Sequence, residues 1–145
     1  MNDWYLPVVD SESAPFWDAA REGRLLIMHC HACDRPYFYP RRYCPRCWSE
    51  ETEWLEASGR GSVYTYSVVH QNPAPPFSDW CPYAVLLVDL DEGVRMMANW
   101  ERGADLAKLA VGLPVEVTFE AITDAISLPR FRPVAIGCRT GAVSL

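Results

Sequence analysis

Cys30-x-x-Cys33 and Cys44-x-x-Cys47 are two close cysteine pairs separated by ten residues, a spacing that lets two turns aim four sulfurs at a common centre. Four thiolates around one ion form the closed tetrahedral shell of a structural zinc site, in which no coordination position is left for substrate. Zinc is therefore the expected ion, held by Cys30, Cys33, Cys44 and Cys47, and its expected role is to fold the chain. Two other readings stay open. Iron uses the same four sulfurs in a rubredoxin-like site, and disulfides would use them in an oxidising compartment, although such spacing in a cytosolic setting favours metal. Four thiolates on a divalent ion leave a charge of about −2, which Arg35, Arg41, Arg42 and Arg46 are placed to offset. Asp34 and Trp48 each follow the second cysteine of a pair, where glycine would more easily take a positive φ. Aspartate tolerates that conformation, and Trp48 is expected not to adopt it.

The remaining chemistry-bearing residues are few. Covalent or acid-base catalysis needs a nucleophile or base, a group nearby to activate it, and donors for a developing oxyanion. Outside the cage only Cys81 and Cys138 remain, neither in a glycine-rich elbow nor beside a histidine; Cys81 reads as a small apolar filler, and Cys138, near the tail, is a still weaker nucleophile candidate. His29 and His31 flank Cys30 but replace no missing ligand, so they read as packing or solvent-facing groups around the cage. His70, ending a strand, would need an orienting carboxylate to act as a base, and Asp79 is the one candidate. No catalytic residue is assigned.

The elements that must position the cage follow from pattern. A short helix is expected from Ser13 to Glu22, with Ser13 as cap, Pro15 in the first turn and Gly23 as the stop. Strands are expected at 24–29, 37–39 and 53–57, which with the two knuckles make a zinc ribbon. Gly59-Arg60-Gly61 punctuates the chain, and longer strands without metal ligands follow at 63–70, 83–90, 94–100, 115–122 and 131–136. Asp91-Glu92-Gly93 joins the second and third of these into an antiparallel hairpin. A short, helix-like link is expected at 104–109, and residues 71–82, with four prolines, form a stiff irregular loop. Five short strands with one interrupting link suit an OB-like barrel. The predicted fold is thus mainly β, divided into an N-terminal helical arm (1–23), a zinc ribbon (24–58), an OB-fold domain (59–137) and a C-terminal tail (138–145).

Composition narrows the partners. A net charge of −6 argues against a general nucleic-acid binder, whose affinity depends on counterion release at a positive surface. A zinc-ribbon and OB-fold module that stacks single-stranded bases on tyrosines is the reading from that other class. No apolar run approaches the length of a membrane span, and a cytoplasmic location is expected. Apolar residues make up 50% of the 145-residue chain and aromatic residues 12%, more than so small a protein hides easily, so part of that surface is expected to meet another subunit.

Several strings occur in one order: an aromatic helix, the four-cysteine ribbon with Tyr39-Pro40-Arg41 between its knuckles, Ser58-Gly59-Arg60-Gly61, Pro82-Tyr83, Val88-Asp89-Leu90-Asp91-Glu92-Gly93 and Leu128-Pro129-Arg130-Phe131-Arg132-Pro133. From about Phe16 to about Pro133 the chain resembles the DUF35 family. The resemblance implies a rubredoxin-like zinc ribbon joined to an OB-fold, acting as a non-catalytic subunit beside enzymes that work on coenzyme A thioesters. Those partners resemble thiolases, thiolase-like aldolases, ketoacyl synthases or MaoC-like hydratases. Asp34, where the family usually has glycine, and Tyr39, in place of the first proline of a Pro-Pro-Arg string, are the departures. Within that picture Trp4, Tyr5, Phe16 and Trp17 are candidates for the partner interface. Arg130, Phe131 and Arg132 are candidates for coenzyme A, because arginines two apart on an extended chain share a face and could both meet phosphate. Tyr64 and Tyr66, expected to share a face in the same way, could stack an adenine.

Overall fold

The computed structural model describes residues 5–134. The helix α1 (Ala14–Arg21) buries Phe16, Ala19 and Ala20. Ser13 occupies the cap position but makes no side-chain cap bond. Its hydroxyl and its N–H both donate to the Asp10 carboxylate instead, at 2.8 Å each. The helix ends in a Schellman motif: Gly23 takes φ +77°, its N–H donates to the Ala20 carbonyl and the Arg24 N–H reaches back to the Ala19 carbonyl.

The ribbon is a three-stranded antiparallel sheet of β1 (Leu26–Cys30), β2 (Arg35–Tyr37) and β3 (Thr52–Glu56), in the order β2-β1-β3. The register sets Met28 against Tyr37 and Ile27 against Leu55. β2 lies two residues earlier than expected, because its first residue, Arg35, pairs with Cys30 as soon as the first knuckle has turned.

Five strands close the barrel: β4 (Arg60–Val69), β5 (Tyr83–Leu90), β6 (Arg95–Trp100), β7 (Pro114–Ala121) and β8 (Ser127–Pro133). Their order is β4-β5-β6-β8-β7, with β7 returning to β4. All pairs are antiparallel except β6 with β8. This is the Greek-key arrangement of the OB-fold, closed so that no long sheet edge is left bare. Gly61 is needed at the closure, since a Cβ there would lie 2.3 Å from the Asp89 carbonyl oxygen. The link between β6 and β7 is a single 3₁₀ turn at Leu106–Lys108, and the proline-rich loop contains one helical turn, α2 (Phe77–Trp80).

β8 begins four residues before the expected strand. Pro129 and Pro133 lie within it, pairing with Phe119 and Val115; they share parity, and alternate positions of an antiparallel ladder need no donor.

One hydrophobic core runs through the molecule. Phe16 of the helix, Leu25 and Ile27 at the base of the ribbon, and Val63, Leu86, Val88, Met96 and Phe131 inside the barrel belong to the same cluster. Met28, Cys30, Tyr37 and Cys44 form a smaller one around the knuckles. No helix among the described residues is long and apolar enough to cross a membrane.

Candidate metal centre

β1 delivers Cys30 at its last residue, and the following turn presents Cys33. The second knuckle comes from the long connection between β2 and β3. Tyr37 ties that connection down by donating its hydroxyl hydrogen to the Arg41 carbonyl at 2.6 Å, and the Thr52 hydroxyl donates to the Arg42 carbonyl at 3.1 Å. Both knuckles then reverse through a left-handed residue, Asp34 at φ +53° and Trp48 at φ +62°. Trp48 thus adopts the conformation that the sequence had argued it would avoid. The Trp48 N–H donates to the Cys44 carbonyl and the Cys44 N–H to the Ser49 carbonyl, both at 3.0 Å. Two bonds closing one turn outweigh a left-handed penalty of roughly 1–2 kcal/mol, and the indole, 77% exposed, stays clear of the backbone.

The four sulfurs lie within 4.8 Å of one another, with Cys30 to Cys47 at 3.6 Å and Cys33 to Cys44 at 3.7 Å. A tetrahedron with zinc–sulfur bonds of about 2.3 Å has an edge of about 3.8 Å. The residues fit a structural zinc ion, and with all four positions taken by protein its chemistry is to hold the knuckles together. Burial pushes the Cys33 thiol up to about 12, with the other cage thiols adding to the shift. Burial also works against ionising Cys44, but the N–H groups of Cys47 and Arg46 outweigh it and hold that thiol at about 6. The cage therefore starts unequal, with one ready thiolate. Of the arginines expected to offset its charge, Arg46 donates to the Pro36 carbonyl and Arg42 pairs with Glu50 at 3.4 Å.

His29 and His31 point away from the cage, His29 toward Asp34 and His31 toward Glu53. Among the described residues no hydrogen bond joins His70 to Asp79. Cys81 donates to the Phe77 carbonyl. Cys138 and Trp4 lie outside the described residues.

The barrel places the other candidates unevenly. Arg130 is buried at 3% exposure, while Phe131 faces the core at 0%. Arg130 Nε donates to Glu120 at 2.9 Å, and its Nη2 lies equally close to that oxygen without forming a well-aligned hydrogen bond. Burial, helped by the neighbouring Arg102, pulls the guanidinium down to about 10. Arg102 also pairs with Glu120, and both arginines lie under the Trp80 ring. Arg132 pairs with Glu116 at 3.2 Å. The two arginines do share a face, as expected, but carboxylates on β7 already meet them. Matching two-residue periods of opposite charge, Glu116-x-Thr118-x-Glu120 against Arg130-x-Arg132, were a signal for this ladder that the sequence reading passed over. A cleft of about 510 Å³ opens beside Arg102, Glu120 and Arg130.

Tyr64 and Tyr66 do not share a face. A bulge between Val63 and Thr65 inserts Tyr64, so Tyr66 falls opposite the buried Leu86, while Arg95 lies 3.4 Å over the Tyr64 ring. Phe16 is likewise turned into the core, at 5% exposure. Trp17 is half-buried beside it and lines an apolar cleft of about 310 Å³ together with Phe38, Pro40, Met97 and Leu128. Tyr5, 43% exposed, packs edge-on against Phe77.

Comparison with known proteins gives consistent matches. Residues 17–53 match the model of the ChsH2 rubredoxin-like zinc ribbon domain, and residues 54–120 that of the ChsH2 C-terminal OB-fold domain. A solved structure described as an Ltp2-ChsH2(DUF35) aldolase has a chain with 37% sequence identity and a TM-score of 0.76, the likeness covering 88% of this chain and 98% of that one. The "Probable enoyl-CoA hydratase alpha subunit" of Thermomonospora curvata is 37% identical over 88% of this chain, which spans 39% of that protein's length. The benzoylsuccinyl-CoA thiolase subunit BbsA of Geobacter metallireducens is 34% identical over 61% of this chain and 60% of its own length.

Proposed function

This chain belongs to the DUF35 family of zinc-ribbon and OB-fold proteins, and we propose that it serves as a non-catalytic subunit of a heteromeric complex in which a thiolase-fold enzyme, a thiolase or a thiolase-like aldolase, makes or breaks carbon-carbon bonds on coenzyme A thioesters. The observation that carries this reading is the likeness, along nearly its whole length, to the ChsH2 chain of an aldolase. The chemistry of the site agrees. Among the described residues Cys81 is the one cysteine outside the cage, and its thiol donates to the Phe77 carbonyl, while the other four fit a structural ion. A closed four-thiolate shell offers no Lewis-acid position. On this reading the partner supplies nucleophile and base.

Within the complex we assign docking to the apolar cleft around Trp17, where the helix, the ribbon and the barrel meet. A half-buried tryptophan in a desolvated recess has the character of an interface anchor. A coenzyme A thioester held between the subunits would find counter-charge for its phosphates at the half-exposed Arg102 beside the cleft, while Arg130 stays paired with Glu120. The 37% identity to a hydratase alpha subunit supports a second reading, with a MaoC-like enoyl-CoA hydratase as partner.

Co-expression with a candidate thiolase-fold enzyme from the same genome tests the proposal. Co-purification and thioester turnover that needs both chains are expected. Turnover by this chain alone, or an absence of association with that enzyme, would refute it.

A further inference from the structure

On the face of the ribbon turned away from the cysteine cage, His29, His31 and Glu53 bring one ring nitrogen each and a carboxylate oxygen within 4.8 Å of one another. Their alignment is built into the ladder. His29 and His31 are two apart, so they share a face opposite to that of Cys30. Glu53 of β3 lies directly across from His29, and the N–H of His31 donates to the Glu51 carbonyl at 2.8 Å, continuing the same pairing.

Asp34 completes the arrangement from the first knuckle. Its carboxylate lies 3.0 Å from His29 Nε2. A carboxylate only accepts, so Nε2 carries the proton, and in the neutral ring that binds metal Nδ1 presents its lone pair toward Glu53, 3.9 Å away. The Glu53 oxygen is 3.1 Å from His31 Nε2. A carboxylate that orients a histidine whose other nitrogen faces a third donor is the arrangement found behind metal-bound imidazoles. Two carboxylates supply a charge of about −2 at the site, and among the described residues neither forms an ion pair with an arginine or lysine. Tetrahedral coordination at about 2.05 Å spaces ligand atoms by about 3.3 Å, so small rotations of the exposed His31 and Glu53 side chains close the set around the half-buried His29.

We propose that His29, His31 and Glu53, with Asp34 orienting His29, form a second metal site for a divalent transition ion such as zinc, distinct from the cage. Two imidazoles and one carboxylate select a borderline ion over calcium or magnesium. Three protein ligands leave a coordination position for water, so this ion exchanges while the caged one does not.

The chain has three histidines, and His70 serves as an internal control. The full-length protein, its cage already loaded, would be titrated with Zn²⁺ at fixed pH while the histidine ring resonances are followed by NMR. One further equivalent is expected, moving the signals of two histidines and leaving the third in place. Glu53→Gln should weaken that equivalent at least about tenfold, and His31→Ala should abolish it, with cage zinc retained in both. No saturable shift in the wild type, movement of all three histidines together, or an unaltered affinity in Glu53→Gln would each overturn the site. The wild-type titration decides by itself if a variant loses its caged zinc.

Discussion

The four cage thiols are unequal before an ion arrives, and this sets how acid acts on the site. With the Cys44 thiol held at about 6 and the Cys33 thiol pushed up to about 12, neutral solution finds one ionised and the other protonated. Zinc must therefore displace protons, and its affinity rises about tenfold per pH unit for each proton displaced. As pH falls through about 6, Cys44 takes up a proton as well, and the ion is lost more steeply. Competition with a chelator of known pH dependence, run between acid and neutral solution, is expected to show this slope; a flat profile would contradict it. A different sensitivity belongs to Arg130. Glu120→Gln leaves a guanidinium at 3% exposure with its charge unmatched, which should destabilise the protein by about 3 kcal/mol in chemical denaturation. Adding Arg130→Met removes the stranded charge and should recover most of that loss. If the double variant is no more stable than the single one, the pair does not act as a buried ion pair.

At the scale of elements, one helix separates folding from docking. Phe16, 5% exposed, belongs to the common core, so Phe16→Ala should lower stability by about 3–5 kcal/mol. Trp17 packs edge-on against Phe16 but also lines the cleft, so Trp17→Ala should cost clearly less stability than Phe16→Ala while weakening partner association by about 2 kcal/mol, read by titration calorimetry of the two purified subunits. Equal stability losses in the two variants would remove the distinction. The sequence could not separate these neighbours, because helical spacing tells that an aromatic face is covered and not by what. The cage was legible from spacing, and the β5–β6 hairpin from one turn between two apolar runs, since both are local. The start of β8 was placed late: Pro129 weakens a strand signal locally, and only pairing with β7 shows that its missing donor does not matter. The opposite faces of Tyr64 and Tyr66 follow from a single inserted residue, which alternation along one strand does not reveal. Arg102 and Trp80 escaped because segments far apart in sequence bring them to Arg130, whereas Glu120 stood in a legible charge pattern that was passed over.

For the whole molecule, the shared core decides what happens when zinc is removed. The ribbon is too small to bury its own surface and depends on the ion to hold its knuckles, yet Leu25 and Ile27 at its base pack in the same cluster as Val63, Leu86 and Phe131 of the barrel. Losing the metal frees the connection between β2 and β3, unfixes β1 and exposes that cluster from one end. Damage at the cage should therefore reach the barrel and the Trp17 cleft, which is framed by the ribbon's Phe38 and Pro40 as well as by the barrel's Met97. Chelation under reducing conditions, or Cys44→Ser, is expected to lower the melting temperature of the whole chain as a single calorimetric transition and to abolish co-purification with the partner. Returning zinc to the reduced wild-type chain should restore both. Two independent transitions, with the barrel's unmoved and the partner still bound, would mean that the ribbon is an appendage and that the docking surface belongs to the barrel alone.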